Sequence, residues 1–152
     1  MDKMRREMVM SLVVMSAVWP LNVVHEMGHA FVCALYGNEY SVTLSLLGSS
    51  NTVCFGNGFG NGFGVLVYRL AGGMSVMLVL VVCLFILGVK MGTGAKIGLH
   101  SLILISFIHG LFEGLFFEYY VSDVSQSGVV LGVVLVFMVI SQWVVVIRRS
   151  DL

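Results

Sequence analysis

The sequence contains little charge. Asp, Glu, Lys and Arg make up 11% of the 152 residues, against about 25% in an ordinary soluble domain. Eight basic residues balance eight acidic ones, so the chain has no basic field that would attract nucleic acid. Hydrophobic residues make up 59% and the mean hydropathy is +1.02, which is more apolar surface than a soluble fold of this size can bury. The composition excludes a soluble globular protein and predicts an integral membrane protein in contact with the lipid bilayer.

Proline is nearly absent. One proline and no strand-length alternation along most of the chain favour transmembrane helices over a β-barrel. That proline, Pro20, lies in the first apolar stretch, where it removes one backbone hydrogen bond. We therefore expect the first helix to kink or break near Trp19.

Cysteine is also scarce. The three cysteines are Cys33, Cys54 and Cys83. They show no CxxC spacing, and an odd number leaves one without a partner, so we predict no disulfide framework. Cys33 and Cys83 lie in apolar runs and are interpreted as small hydrophobic residues.

Four apolar stretches are long enough to cross a bilayer, which takes about 20 residues of helix. They cover residues 8–36, 65–89, 97–120 and 128–147. We therefore predict an all-α, multi-pass integral membrane protein with about four transmembrane helices, in which residues 1–152 form a single membrane domain.

The basic residues lie mainly in three segments. These segments hold Lys3, Arg5 and Arg6 before the first span, Lys90 and Lys96 between the second and third, and Arg148 and Arg149 after the fourth. With four spans, all three segments lie on one side of the membrane. The positive-inside rule then predicts that both termini are cytoplasmic and that residues 40–55 and 118–123 lie outside.

The connection between the first two spans has a different pattern. Residues 40–46 alternate polar and apolar side chains, residues 48–51 (Gly-Ser-Ser-Asn) indicate a turn, and residues 52–55 suit a return strand. We predict a short β-hairpin at the membrane surface. The Phe-Gly-Asn-Gly repeat in residues 55–64 is interpreted as either a flexible linker or a loop that lines a site.

Residues 25–29 read His-Glu-Met-Gly-His, an HExxH motif inside the first span. On a helix His25 and His29 face the same way, so both imidazoles can reach one metal ion. Glu26 lies beside them and can act as a general base. Polar residues in a bilayer are costly unless they are paired or bind a ligand. We predict that His25, Glu26 and His29 form a metal site. The alternative is that they form hydrogen bonds between helices.

A hydrolytic zinc site needs a third protein ligand. The candidates at membrane depth are His100, His109, Glu113 and Glu118. The first and third spans run in the same direction, and His29 and Glu113 each lie seven residues before the predicted end of their span, roughly 10 Å below one surface. His109 is one turn deeper, close to the depth of His25. His100 is expected near the opposite surface and Glu118 close to water.

Three segments together resemble the site-2 protease family of intramembrane zinc metalloproteases. Residues 25–30 (His-Glu-Met-Gly-His-Ala) and the following Leu-Tyr-Gly resemble that family's HExGHA…G segment. Residues 69–73 (Arg-Leu-Ala-Gly-Gly) are similar to its Leu-Ala-Gly-Pro stretch, with Gly73 in the place of proline. Residues 112–114 (Phe-Glu-Gly) resemble its Leu-Asp-Gly, whose aspartate is the third zinc ligand. The resemblance covers about residues 20–120 and leaves 128–147 as an extra C-terminal helix.

The resemblance implies a zinc metalloendopeptidase that hydrolyses peptide bonds of membrane-spanning protein substrates with a zinc-activated water. It implies that Zn2+ is bound by His25, His29 and Glu113 and that Glu26 is the general base. The hairpin corresponds to the family's β segment, which presents the substrate as an added strand. His109 either stabilises the oxyanion or forms an interhelical hydrogen bond. The chain departs from the family in having Glu for Asp at the third ligand and in lacking the preceding Asn and Pro.

Two other functions agree with the same residues. The protein could be a non-catalytic membrane subunit that retains a structural metal and works with other membrane subunits. It could also be a metal-handling membrane protein that uses His25, His29, His109 and Glu113. The presence of Glu26 favours the protease, because a structural site needs no general base.

Overall fold

The structure is a computed structural model that describes residues 3–45, 50–56, 58–59, 62–115, 136, 140 and 142–144. Its elements in chain order are α1 (Lys3–Met15), α2 (Val18–Leu35), β1 (Glu39–Thr43), β2 (Asn51–Phe55), α3 (Gly62–Leu87) and α4 (Thr93–Leu115). Within this described part, three helical stretches are long and apolar enough to cross a membrane, namely Lys3–Leu35, Gly62–Leu87 and Thr93–Leu115. They match the first three predicted spans. Large apolar side chains of α3 such as Phe85 and Ile86 are exposed, and an exposed apolar surface of this kind is typical of contact with a membrane or another protein.

The fourth predicted span, residues 128–147, lies largely outside the described residues. Residues 136, 140 and 142–144 are helical. The Trp143 indole N–H donates to Ser11 Oγ in α1 at 3.2 Å, and the Gln142 amide donates to Ser101 Oγ in α4 at 3.1 Å. This part of the chain therefore packs against α1 and α4.

The first span is interrupted as predicted. Helix α1 ends at Met15 and α2 begins at Val18, so the break falls about one turn before Pro20. Proline clashes with the carbonyl four residues earlier, here that of Ser16, but fits the first turn of a new helix. The interruption lies on the N-terminal side of Pro20 for this reason.

Two adjacent glycines allow α3 to lie between α2 and α4. A methyl group on Gly73 would lie 2.5 Å from the Gly110 Cα and from the Ser106 carbonyl oxygen of α4. The neighbouring Gly72 faces the two imidazoles of α2 instead. Further along the α3–α4 interface, a buried cluster forms the core: Val76, Leu80, Leu99, Leu102 and Ile105. The Gly72–Gly73 pair thus brings α2 and α4 to adjacent faces of one turn of α3, about 100° apart, so that side chains of α2 and α4 can meet beside it.

The predicted hairpin is present between α2 and α3. Gly37, at φ +71°, ends α2 and turns the chain into β1. Strands β1 and β2 pair antiparallel with Glu39 opposite Phe55 and Val42 opposite Thr52. The strands are shifted from the predicted bounds, since residues 44 and 45 lie outside β1 and Asn51 belongs to β2. Residues 46–49, which include the first half of the predicted turn at residues 48–51, lie outside the described part.

The expectation that the cysteines form no disulfide is wrong. Cys33 of α2 and Cys54 of β2 are bonded to each other with their Cα atoms 5.9 Å apart, and Cys83 is free. The hairpin folds back along α2, and this brings together two cysteines that are 21 residues apart in the chain. A spacing rule cannot detect such a pair, because the contact depends on which face of β2 meets the helix.

Candidate metal centre

Helix α2 brings the HExxH residues to a buried position. His25 and His29 are one turn apart, and their Nε2 atoms lie 3.2 Å from each other. Glu26 is only 5% exposed, and both histidines are also buried. Two ring nitrogens that point at the same place are arranged to share a proton or a cation.

A backbone carbonyl fixes the orientation of His29. Its Nδ1 lies 2.8 Å from the Tyr68 carbonyl oxygen of α3. A carbonyl can only accept, so Nδ1 must be the protonated nitrogen and the neutral ring presents the Nε2 lone pair to the site. Metal-binding histidines usually donate their second ring N–H in this way.

Helix α4 brings Glu113 to both imidazoles. Its Oε1 lies 3.3 Å from His25 Nε2, and its Oε2 lies 3.8 Å from His29 Nε2. Counting residues from the span ends predicted that Glu113 and His29 lie at equal depth, and the two side chains are in fact neighbours. That these three side chains bind a metal stays a prediction.

The spacing of these atoms can be compared with that of a tetrahedral zinc site, which stays a prediction. With ligand distances of about 2.0–2.1 Å, neighbouring ligand atoms of such a site lie about 3.3 Å apart. The His25–His29 separation of 3.2 Å and the separation of 3.3 Å between His25 and Glu113 Oε1 are close to that value, whereas His29 lies 3.8 Å from the other carboxylate oxygen, Oε2. Glu113 Oε2 is moreover buried without a hydrogen-bond partner among the described residues. A cation between the carboxylate and the imidazoles would satisfy this oxygen.

His109 joins the same cluster. Its Nε2 lies 3.5 Å from Glu113 Oε1, and its ring stacks on His25 with centroids 5.0 Å apart. The ligand atoms of His25, His109 and Glu113 lie within 4.8 Å of one another, so a second possible ligand set shares two members with the predicted one. The two sets differ in one member, which is either His29, whose Nδ1 lies against a carbonyl, or His109, whose side chain is 30% exposed.

Gly72 leaves the space that the imidazoles occupy. A methyl group at this position would lie 2.5 Å from His25 Cε1 and Nε2 and would also meet His29 Nε2. Gly72→Ala is therefore expected to displace both rings and to weaken zinc binding about 10–100-fold, the range seen when ligand orientation is disturbed. Zinc competition titrations measure this effect. Gly62→Ala in the same helix is the control, since nothing lies within 4 Å of its methyl position. Equal zinc affinity in the two variants would contradict the expectation.

The hairpin reaches the site through Thr52. Its hydroxyl lies 2.7 Å from Glu26 Oε2 and 3.0 Å from the Glu26 carbonyl oxygen. Its carbonyl accepts a 2.9 Å hydrogen bond from the Tyr68 hydroxyl. Sequence inspection missed Thr52 and Tyr68. The period-two pattern placed Thr52 in a strand but did not say which face of that strand meets α2.

The described part of the glycine-rich segment is attached near the site. The Gly58 N–H donates to Asn38 Oδ1 at 2.9 Å. The centroid of the Phe59 ring lies 5.2 Å from the ring centroids of both Tyr36 and Tyr68. The Tyr68 ring centroid lies 5.0 Å from that of His29. Of the two interpretations of this repeat, a loop that lines a site agrees better with these contacts.

Of the two remaining candidates, His100 lies apart from the cluster. His100 is exposed on α4, where its Nδ1 lies 2.7 Å from the Lys96 carbonyl oxygen one turn away. Glu118 lies outside the described residues. Comparison with protein-family models, curated proteins and solved structures finds no match for this chain. The resemblance to site-2 proteases therefore stays a prediction that rests on the chain's own residues.

Proposed function

We propose that the protein is an intramembrane zinc metallopeptidase that hydrolyses peptide bonds of membrane-spanning substrates. The observation that carries this proposal is the convergence of His25, His29 and Glu113 from two membrane-capable helices, with Glu26 beside them. Three protein ligands of this kind leave a zinc ion one open position, as catalysis requires. Inside a bilayer, such a cluster of polar side chains would destabilise the protein unless a bound ion or hydrogen bonds compensated for the lost contact with water.

The chain's own residues supply the proton transfers. Zinc bound here would act as a Lewis acid and make water acidic near neutral pH. Glu26 accepts the proton of the attacking water and returns it to the leaving amine. His109, beside Glu113 and partly exposed, donates a hydrogen bond to the oxygen on which charge develops.

The two-stranded sheet is the proposed substrate platform. Strands β1 and β2 pair only with each other within the described residues, so each has an outer edge that can receive an extended peptide as an added strand. A substrate helix must unwind before cleavage, because its carbonyls are engaged in backbone hydrogen bonds.

Metal analysis together with a cleavage assay tests the proposal. Purified protein in detergent should contain one zinc ion per chain and should cleave transmembrane peptides. A chelator should abolish cleavage, and added zinc should restore it. Zinc-loaded protein that leaves a broad set of transmembrane peptides intact would refute the peptidase.

The fourth potential ligand supports a second candidate function. If His25, His29, His109 and Glu113 all bound one ion, no position would stay open, and the site would be structural or would carry metal. A non-catalytic subunit of this kind would hold zinc without cleaving peptides. Substitution of Glu26, considered in the Discussion, separates this alternative from the peptidase.

We also propose that both termini face the cytoplasm and that the hairpin lies outside. The positive-inside rule supports this orientation, and the Cys33–Cys54 disulfide supports it independently, because disulfides persist in oxidising compartments. A cysteine introduced at Leu44 in a Cys83→Ala background should react with a membrane-impermeant maleimide on intact cells. A cysteine introduced at Lys90 should react only after the membrane is opened. The reverse labelling pattern would overturn the orientation.

A further inference from the structure

The inner face of β2 is attached to the HExxH helix at two points. Thr52 and Cys54 are two residues apart, so their side chains leave the strand on the same face. Cys54 is bonded to Cys33 of α2, and the Thr52 hydroxyl lies against Glu26. Thr52 is 8% exposed, whereas the intervening Val53 is 42% exposed. Strand β2 therefore presents Thr52 to α2 in a fixed register.

The Thr52 hydroxyl has one proton for two nearby acceptors. Glu26 Oε2 lies at 2.7 Å and the Glu26 carbonyl oxygen at 3.0 Å. The carboxylate oxygen is the closer of the two, so the hydroxyl donates to Oε2. This bond fixes the rotation of the carboxylate about its last side-chain torsion, which is otherwise broad.

Tyr68 couples Thr52 to the metal-binding side of the site. Its hydroxyl donates to the Thr52 carbonyl at 2.9 Å, and its own carbonyl lies 2.8 Å from His29 Nδ1. One residue of α3 thus holds both the strand that carries Thr52 and a predicted zinc ligand. The position of Thr52 relative to the imidazoles is set by side chains from three elements.

We propose that Thr52 is a positioning residue that holds the Glu26 carboxylate in the orientation for proton transfer. This inference rests on the proposed peptidase function. Thr52 binds no metal and touches no substrate in this proposal. It acts through Glu26, so its loss should lower turnover and leave zinc binding and substrate binding unchanged.

Three variants test the proposal. Thr52→Val keeps the shape and the β-branched side chain but removes the hydroxyl, and it should lower kcat about 10–100-fold, the usual effect of losing a residue that orients a catalytic group. KM and zinc content should match the parent. Thr52→Ser restores a hydroxyl and should recover most of the activity. Thr93→Val, at an exposed position where α4 begins and at the opposite end of that helix from Glu113, is the matched control and should behave as the parent.

Infrared spectroscopy gives a second readout that needs neither metal nor substrate. The protein is labelled with 13C-glutamate. The carboxylate band that is present in the parent spectrum and absent from the spectrum of Glu26→Gln is then assigned to Glu26. This band should shift in Thr52→Val and stay in place in Thr52→Ser. If the parent protein is inactive, the peptidase proposal fails, and the band alone decides whether Thr52 holds Glu26.

Two results would overturn the positioning role. The first is Thr52→Val with parental kcat or an unshifted Glu26 band. The second is Thr52→Val that loses zinc or the Cys33–Cys54 disulfide, because Thr52 would then stabilise the fold rather than orient the base.

Discussion

Glu26→Gln should retain one zinc ion per chain and lose peptide hydrolysis by about 10²–10⁴-fold, the usual contribution of a general base. Gln has nearly the shape of Glu, and its amide oxygen can still accept the hydrogen bond from Thr52, which lies 2.7 Å from Glu26 Oε2. The amide cannot take a proton from water, so proton transfer fails while the imidazoles stay in place. Zinc content and kcat, measured on the same preparation, test this expectation.

Glu7→Gln is the matched control for that substitution. Glu7 of α1 accepts a hydrogen bond from the Gly94 N–H at 2.6 Å, which the amide oxygen of Gln can also accept, and it lies at the opposite end of α4 from Glu113. It should leave both zinc content and kcat at parental values. Should Glu26→Gln cleave peptides as fast as the parent, Glu26 is not the base. The structural and metal-handling alternatives are preferred if neither the parent nor Glu26→Gln cleaves peptides while both keep zinc, because neither alternative depends on a proton acceptor at this position.

The helices and the polar cluster could be predicted because both depend on local patterns. Span lengths follow from runs of apolar residues, and the pairing of His25 with His29 follows from helical periodicity. The approach of Glu113 to His29 followed from counting residues along spans that run in the same direction. In a membrane protein, depth is a shared coordinate that links residues distant in the chain.

The contacts of the hairpin could not be predicted because they depend on how one face of a strand meets a helix. Alternation in residues 52–55 indicates a strand, but both the Thr52–Glu26 hydrogen bond and the Cys33–Cys54 disulfide require the face that carries Thr52 and Cys54 to turn toward α2. If β2 were shifted by one residue relative to β1, Val53 and Phe55 would face α2 in place of Thr52 and Cys54. The role of Gly72 could not be predicted from the sequence for a similar reason, because Gly72 meets the imidazoles only where α2 and α3 cross.

Glu113→Ala is expected to lower zinc affinity on the order of 10³-fold, which corresponds to about a third of the 10–16 kcal/mol by which proteins bind structural zinc. Its carboxylate contacts His25 and His29 through different oxygens, at 3.3 Å and 3.8 Å. Removal leaves two imidazoles on one helical turn, and two ligands do not hold zinc tightly. The carboxylate also offsets part of the metal charge where water cannot do so. Zinc retained after dialysis against a weak chelator measures the loss.

His109→Ala separates the two possible ligand sets. His109 lies one turn from Glu113 on α4, with its Nε2 3.5 Å from Glu113 Oε1. If zinc is bound by His25, His29 and Glu113, His109→Ala should keep its zinc and lose only turnover, as befits a group that stabilises developing charge. Loss of zinc in His109→Ala together with retention in Glu113→Ala would assign the third ligand to His109. Loss in both variants would indicate four protein ligands, and that closed site would favour a structural or metal-carrying function over hydrolysis, because no position would stay open for water.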